Sequence, residues 1–402
     1  MPESPGASHE SPTSPRPFDA DNHYYEALDA FSRHLDPAWA QRTVQWAEID
    51  GRRYHVVGGT VSRAVVNPTF DPVAKPGVLR DYFRGNPNGD NPIELLRARD
   101  RIDPAYRDRD ARIATLDRHG LDAVWMFPTL GMIYEEPLRN DPEAVAVMFR
   151  AFNLWVAEDW GLAYRDRIFA APYISLADVD AAVGELEWAL AEGARTVVMR
   201  PAAPTTIHGQ RPPTDRLFDP FWSLANEAGI TVVVHAGDAG YSSNGYASDG
   251  FTSNFNSGIP QPIKFTQLER PIEDFLACLV CDQHFARFGN LRIASVENGA
   301  GFLRGLFAKL TATANKMAGW FADDPIEVFR RHIWINPFWE DDVHDVLELM
   351  GPHRVLFGSD WPHIEGMPEP LDYLEELEGL DPGVAAKILG GNVRELNELS
   401  PT

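Results

Sequence analysis

Cysteine is almost missing from the 402 residues: only Cys278 and Cys281 are present, in CLVCDQHF. A disulfide framework is therefore excluded. The Cys-x-x-Cys spacing with His284 beyond it has the outline of a zinc or redox motif, but it lacks a fourth ligand. Small thiols are commonly buried, so the expected reading is a helix with both packed in the core. Basic residues are also scarce, 36 Lys and Arg against 59 Asp and Glu, for a formal charge of −23. That balance argues against a nucleic-acid surface or an anionic membrane as partner. No stretch approaches the roughly 18 apolar residues of a membrane span. The opening MPESPGASHESPTSPRP has five prolines and no apolar core of a secretory signal, so residues 1–17 read as a disordered tail. A cytoplasmic protein is expected.

What is present is a recurring short apolar run. PFDADNH (17–23), AVWMFPT (123–129), IFAAPYIS (168–175) and TVVMRPA (196–202) are followed by TVVVHAG (231–237), LRIASVENG (291–299), HIWINPF (332–338) and RVLFGSDWPH (354–363). Continuous runs of this length suit parallel strands buried on both faces. Helical patterns lie between them, and DARIATLDRHG, VDAAVGELEWALAEG, DPFWSLANEAG and DVHDVLELMG each stop at a glycine just before a strand. Eight alternations predict one (β/α)₈ TIM barrel over 18–402. A doubly wound open sheet is the runner-up, but no G-x-G-x-x-G follows the first strand, which argues against a dinucleotide cofactor.

Two long interruptions, at about 36–110 and 238–265, leave the C-terminal ends of strands. The second is rich in Gly, Ser and Asn, with Tyr241, Tyr246, Phe251 and Phe255 interspersed. Loops of this length are commonly functional covers, so both are expected to form lids whose aromatics face an apolar substrate.

Barrel active sites are built from the C-terminal strand ends, and here those ends are rich in chemistry. The first strand ends in Asp21 and His23, whose alternate spacing points both to one face. The fourth ends in Arg200, the fifth in His235, the sixth in Glu297 and Asn298, and the eighth in Asp360 and His363. Taken singly, each has an ordinary use as a cap, a core hydrogen bond or an ion pair. Gathered at one barrel mouth, they would be costly to bury unless paired or bound to a metal. Glu340 to Asp342, after the seventh strand, read as a solvated acidic loop.

DADNH, VVVHAG, SVENGAGF, LFGSDWPH and the closing GGNVREL resemble the amidohydrolase-related group that includes aminocarboxymuconate-semialdehyde decarboxylase and the resorcylate-type decarboxylases. The resemblance runs from Phe18 to about Leu396. It implies a (β/α)₈ barrel with a divalent metal at its mouth. The family's first-strand H-x-H pair falls on Asp21 and His23, its fifth-strand His on His235 and its eighth-strand Asp on Asp360. Two departures stand out: Asp21 replaces the first His, and Glu297 stands where many relatives carry a sixth-strand His. The implied metal set is Asp21, His23, His235, Glu297 and Asp360, with His363, Glu26 and Asn298 in catalytic or supporting places. Arg200, Tyr25, Tyr241, Tyr246, Phe255 and Trp361 are expected at the substrate.

Such an oxygen-rich set suits iron or manganese better than zinc. Three readings of the chemistry follow. A hydrolase would use a metal-activated water, with Asp360 or His363 moving the proton. A decarboxylase would hold an aromatic acid between metal and Arg200. A non-haem iron monooxygenase, with one or two ions, would use O₂ to hydroxylate a hydrophobic substrate. The carboxylate-rich set is similar to an actinobacterial diiron branch of the family, from platensimycin-type diterpenoid biosynthesis, which favours iron and a diterpenoid acid or thioester. Zinc or manganese belongs to the other two readings. A barrel that binds metal or ligand without turnover is the remaining class, and a homodimer is expected.

Overall fold

In the computed structural model, residues 16–65, 67–241, 262–338 and 341–402 are described. Seven strands run in the order expected: β1 Phe18–Tyr24, β2 Ala123–Pro128, β3 Ile168–Ala170, β4 Thr196–Met199, β5 Thr231–His235, β6 Arg292–Val296 and β7 Ile333–Ile335. Parallel ladders join β1 to β2, β2 to β3, β4 to β5, β5 to β6 and β6 to β7. Between β3 and β4 the link is a bridge of Tyr173 with Val198, where Ile174 donates its N–H to Val198 at 2.8 Å.

The eighth run does not form a regular ladder. Its chain is bridged to β7 at Val355 and to β1 at Trp361, and Ala20 of β1 donates to Phe357 at 2.8 Å. Those bridges close the sheet on itself, so the architecture is a TIM barrel. All five residues of β5 are buried, as expected for strands covered by core side chains within and helices without.

The helices between strands are α1 Arg109–His119, α2 Pro142–Asp159, α3 Val179–Ala191, α4 Asp219–Ala228, α5 Arg270–Cys281, α6 Leu303–Lys316 and α7 Val343–Met350. Aspartate starts several of them: Asp108, Asp178 and Asp342 accept backbone N–H groups at the N-termini of α1, α3 and α7. Gly120 and Gly229 end α1 and α4 in the left-handed conformation that a side chain disfavours. Cys278 and Cys281 sit half-buried on α5 as free thiols. No helix among the described residues is long and apolar enough to cross a membrane.

The segment after β1 is more ordered than its proline and glycine content suggests. Val44–Ile49, Arg52–Val57 and Thr60–Val61 form an antiparallel sheet. Its first turn is Asp50-Gly51, both at positive φ, the Asp-Gly signature of a two-residue hairpin.

One buried cation ties this scaffold to the barrel mouth. Arg112 of α1 is fully buried and donates to the Ala105 carbonyl at 2.8 Å, the His23 carbonyl at 2.7 Å and the Asn22 side chain. Its guanidinium also lies over the Trp361 ring, 4.6 Å from the centroid. Arg112→Leu strands these acceptors, so a loss of roughly 2–4 kcal/mol in unfolding free energy is expected. Urea unfolding would measure it, and an unchanged midpoint would show that Arg112 does not hold the end of β1.

Candidate metal centre

The backbone turns sharply where the side chains must converge. An extra residue in β1, between Asp19 and Asn22, breaks its register with β2, the kind of bulge that re-aims side chains. Asp19 accepts the N–H of Asp21 at 3.0 Å, and the N–H and hydroxyl of Ser359 at 2.9 and 2.6 Å, which locks β1 to the eighth run. Glu297 and Asp360 both adopt positive φ, 57° and 55°, directly beyond their strand positions. That conformation costs a non-glycine residue roughly 1–2 kcal/mol, and such outliers gather at functional sites.

The result is a buried knot of donors. His23 Nε2 lies 3.3 Å from Asp21 Oδ1, 3.1 Å from Glu297 Oε2 and 3.3 Å from Asp360 Oδ1. His235 Nε2 lies 3.4 Å from Asp21 Oδ1 and 3.3 Å from Glu297 Oε2. On the far side of each ring, Nδ1 meets a backbone carbonyl, Pro128 for His23 at 3.2 Å and Ala236 for His235 at 2.9 Å. A carbonyl can only accept, so both Nδ1 atoms carry the proton and both Nε2 atoms are free to offer a lone pair. Lone pairs facing carboxylate oxygens at this range repel one another unless a proton or a cation lies between them. The two carboxylate oxygens of Asp21 and His235 Nε2 have no hydrogen-bond partner despite complete burial. These donors fit a metal ion, and the second nitrogens are already fixed by the hydrogen bonds that orient metal-bound imidazoles.

Electrostatics agree. Burial drives the Glu297 carboxyl up to about 8, with Asp21 adding to the rise. Burial also lifts Asp360 well above its ordinary value, reinforced by the charges of Glu297, Glu365 and Asp21. Asp21 is the exception: burial pushes it up, but the imidazoles of His23 and His235 beside it bring it below its usual range. A divalent cation would relieve this crowding of negative charge.

Above the knot lies a cavity of about 300 Å³ lined by His23, His235, Glu297, Asn298, His363 and Glu365. Its walls are mainly apolar, with Phe70, Val73, Phe83 and Leu96 contributed by the segment after β1 and Met132 and Ile133 by the short helix Gly131–Leu138 that follows β2. Tyr25 lines it too, stacked on Phe70 and donating its hydroxyl to Pro362 at 3.1 Å. Asn298 donates to the Val234 and Val296 carbonyls, which holds the ends of β5 and β6 together. His363 presents Nδ1 to Asp360 at 2.7 Å, at the edge of the knot, and Nε2 to the Thr129 hydroxyl at 2.9 Å.

Other expected substrate contacts lie elsewhere. Arg200 is turned from the cavity and buried between Glu135 and Glu136, 3.3 and 2.6 Å away, because those acids of the helix Gly131–Leu138 need a partner. Trp361 packs beneath Arg112, against Tyr106 and His119. Tyr241 donates to Asp274 beside a separate cavity. Glu26 is not in the wall: one of its oxygens collects the N–H groups of Thr129, Leu130 and Gly131, fixing the loop after β2. Tyr24 is stacked on Trp160 in the core. Asp342 caps α7 and Asp341 accepts from the Phe338 N–H, so neither serves the knot. Tyr246, Phe251, Phe255 and Glu340 lie outside the described residues. The sequence reading missed Glu365, two residues past His363 in WPHIEG, and Arg99, which also lines the cavity.

The amidohydrolase family model matches residues 19–396. This chain belongs to the amidohydrolase family. An amidohydrolase of Mycobacterium avium subsp. paratuberculosis K-10 is similar over 96% of this chain and 98% of its own, with 39% identity and a TM-score of 0.89. Two decarboxylases share the fold at lower identity. The 2,6-dihydroxybenzoate decarboxylase from Rhizobium has 17% identity and a TM-score of 0.54, over 72% of this chain and 88% of its own. The dihydroxybenzoic acid decarboxylase from Polaromonas sp. JS666, with bound manganese and 2-nitroresorcinol, has 16% identity and a TM-score of 0.54, over 80% and 93%. No curated protein matches. This amidohydrolase is a metal-dependent enzyme.

Two outcomes are expected for the knot. Asp21→Asn and Glu297→Gln each lower metal affinity at least tenfold while the fold survives, read by metal analysis beside circular dichroism; full metal content in both would refute the ligand assignment. Metal loading at pH 7 releases protons, because Glu297, pushed up to about 8 by burial, holds a proton until a cation displaces it. Calorimetry in buffers of different ionisation enthalpy reads this, and buffer-independent heats would contradict it.

Proposed function

We propose that this amidohydrolase is a one-metal, non-oxidative decarboxylase of a hydroxylated aromatic acid. Asp21, His23, His235 and Glu297 would hold the ion, with Asp360 at its edge. The observation that carries the reading is the pairing of this donor knot with a small, mainly apolar cavity and an adjoining carboxyl–imidazole pair, Asp360 and His363. Two imidazoles among carboxylates form a hard, oxygen-rich set that suits manganese, the ion bound in the Polaromonas decarboxylase. When bound, the ion supplies Lewis acidity toward the substrate's carboxylate and neighbouring oxygen.

The chain's own groups account for the remainder. Phe70, Val73 and Ile133 form apolar walls for a ring. A cavity of about 300 Å³ is at the small end for ligand sites and suits one substituted ring better than a polycyclic terpenoid. Arg99 is the cation of the wall, taking the place expected for Arg200. As the ring–carboxyl bond breaks, its electron pair stays on the ring carbon and CO₂ leaves. The proton held between Asp360 and His363 then forms the new C–H bond.

Asp21 and Glu297 in place of imidazoles suit manganese as well as iron. A diiron centre needs ions roughly 3.5–4 Å apart with donors for each. Here the donor sets share His23 and Glu297, and within each set all atoms lie inside 4.8 Å of one another, which favours one ion.

The expected result is CO₂ release from hydroxybenzoates by manganese-loaded protein at the same rate with and without oxygen. Reductant-dependent oxygen uptake with hydroxylated product would overturn the proposal, as would amide or ester hydrolysis without CO₂.

A further inference from the structure

His235 can offer Nε2 to an ion only while its ring is held, and the hold is the 2.9 Å contact of Nδ1 with the Ala236 carbonyl. That carbonyl belongs to the peptide joining Ala236 to Gly237, so whatever fixes Gly237 and Asp238 also fixes the ring. The sheet still helps at Ala236, whose N–H donates to Val296 of β6 at 3.1 Å. Beyond that point the ladder has ended, and the chain needs another anchor.

Arg200, directly after β4, supplies one. Its Nη1 donates to the Asp238 carbonyl at 2.6 Å as well as to Glu136, and its Nη2 donates to Glu135 at 3.3 Å. Glu135 is fixed in turn by the Tyr173 hydroxyl at 2.7 Å. One guanidinium and its partners therefore join the chain beyond β3, β4 and β5 to the short helix Gly131–Leu138. Arg200, Glu135, Tyr173 and Asp238 are each no more than 5% exposed, so water has little access to replace these bonds. The planar fork of an arginine holds several acceptors at set angles.

The helix also holds the loop directly. Met132 accepts the Asp238 N–H at 3.2 Å. Gly237 passes so close that an added Cβ would sit 2.5 Å from the Met132 carbonyl oxygen. Only glycine allows that approach without moving the loop. Neutralising Glu135 and Glu136 requires no more than a positive charge beside them. The bond to the Asp238 carbonyl goes beyond that need, and it ends three residues past a metal-binding imidazole.

We propose that Arg200 is a positioning residue for the metal centre. By pinning Asp238 to the helix Gly131–Leu138 it sets the Ala236 carbonyl, and through that carbonyl the direction in which His235 offers Nε2. Losing groups that orient a metal ligand in this way typically costs about 10- to 100-fold in metal affinity. The inference concerns the ion's ligands and stands apart from the decarboxylase reading, since it holds for any reaction the ion serves.

Arg200→Met combined with Glu135→Gln and Glu136→Gln separates positioning from neutralisation, because neither acid is then left charged without its cation. The expected result is a manganese Kd raised about tenfold, read from the paramagnetic resonance signal of free manganese, with unchanged circular dichroism. The visible spectrum of the cobalt-loaded variant should shift, since it reports how the ligands are arranged around the ion. Gly237→Ala keeps every charge and pushes the loop from the Met132 carbonyl. It should raise the Kd and shift the cobalt spectrum in the same way, and it decides the matter if the triple variant does not fold. Wild-type affinity or an unchanged cobalt spectrum in either folded variant would overturn the positioning role. Wild-type protein that binds no manganese would overturn the metal centre, and the role of Arg200 with it.

Discussion

Two imidazole lone pairs and three carboxylates face one another within 3.1–3.4 Å on a fully buried floor. Without a positive charge among them, that arrangement is unstable, since buried charge is tolerated only when it is paired or coordinated. Much of the barrel mouth can be read as the cost of keeping these groups together. The bulge in β1, the left-handed backbone at Glu297 and Asp360, and the clasp of Asp19 on Ser359 all bend the chain toward one point.

Around that point the scaffold uses ordinary means. Carbonyls of Pro128 and Ala236 fix the imidazole tautomers. Arg112 gathers the backbone behind His23, and Glu26 gathers three N–H groups of the loop after β2. Arg200, which looked like an anion hook, instead neutralises Glu135 and Glu136. A rigid frame of this kind lets a small set of side chains be held near the geometry a reaction needs.

The barrel was legible because strand and helix periods are local. TVVVH declares a buried strand within five residues, and DRHG declares a helix end within four. The meeting of Asp21, His23, His235, Glu297 and Asp360 was legible because barrel topology brings all strand ends to one face. Pairing across long sequence distances was not legible. Nothing near Arg200 signals that acids some 65 residues earlier will claim it, and nothing in SDWPH says that Trp361 will turn to Arg112. The hairpin over 44–57 was readable from its Asp-Gly turn, yet the surrounding prolines and glycines made the whole segment look irregular. Glu365 escaped because a place in a cavity wall is a property of the folded surface.

The central claim is that one cation sits where the lone pairs converge. Anomalous diffraction at the manganese edge, from crystals grown with that metal, tests it most directly. The account predicts a single peak within bonding distance of Asp21, His23, His235 and Glu297. Two peaks there, or a peak elsewhere with the knot left bare, would contradict it.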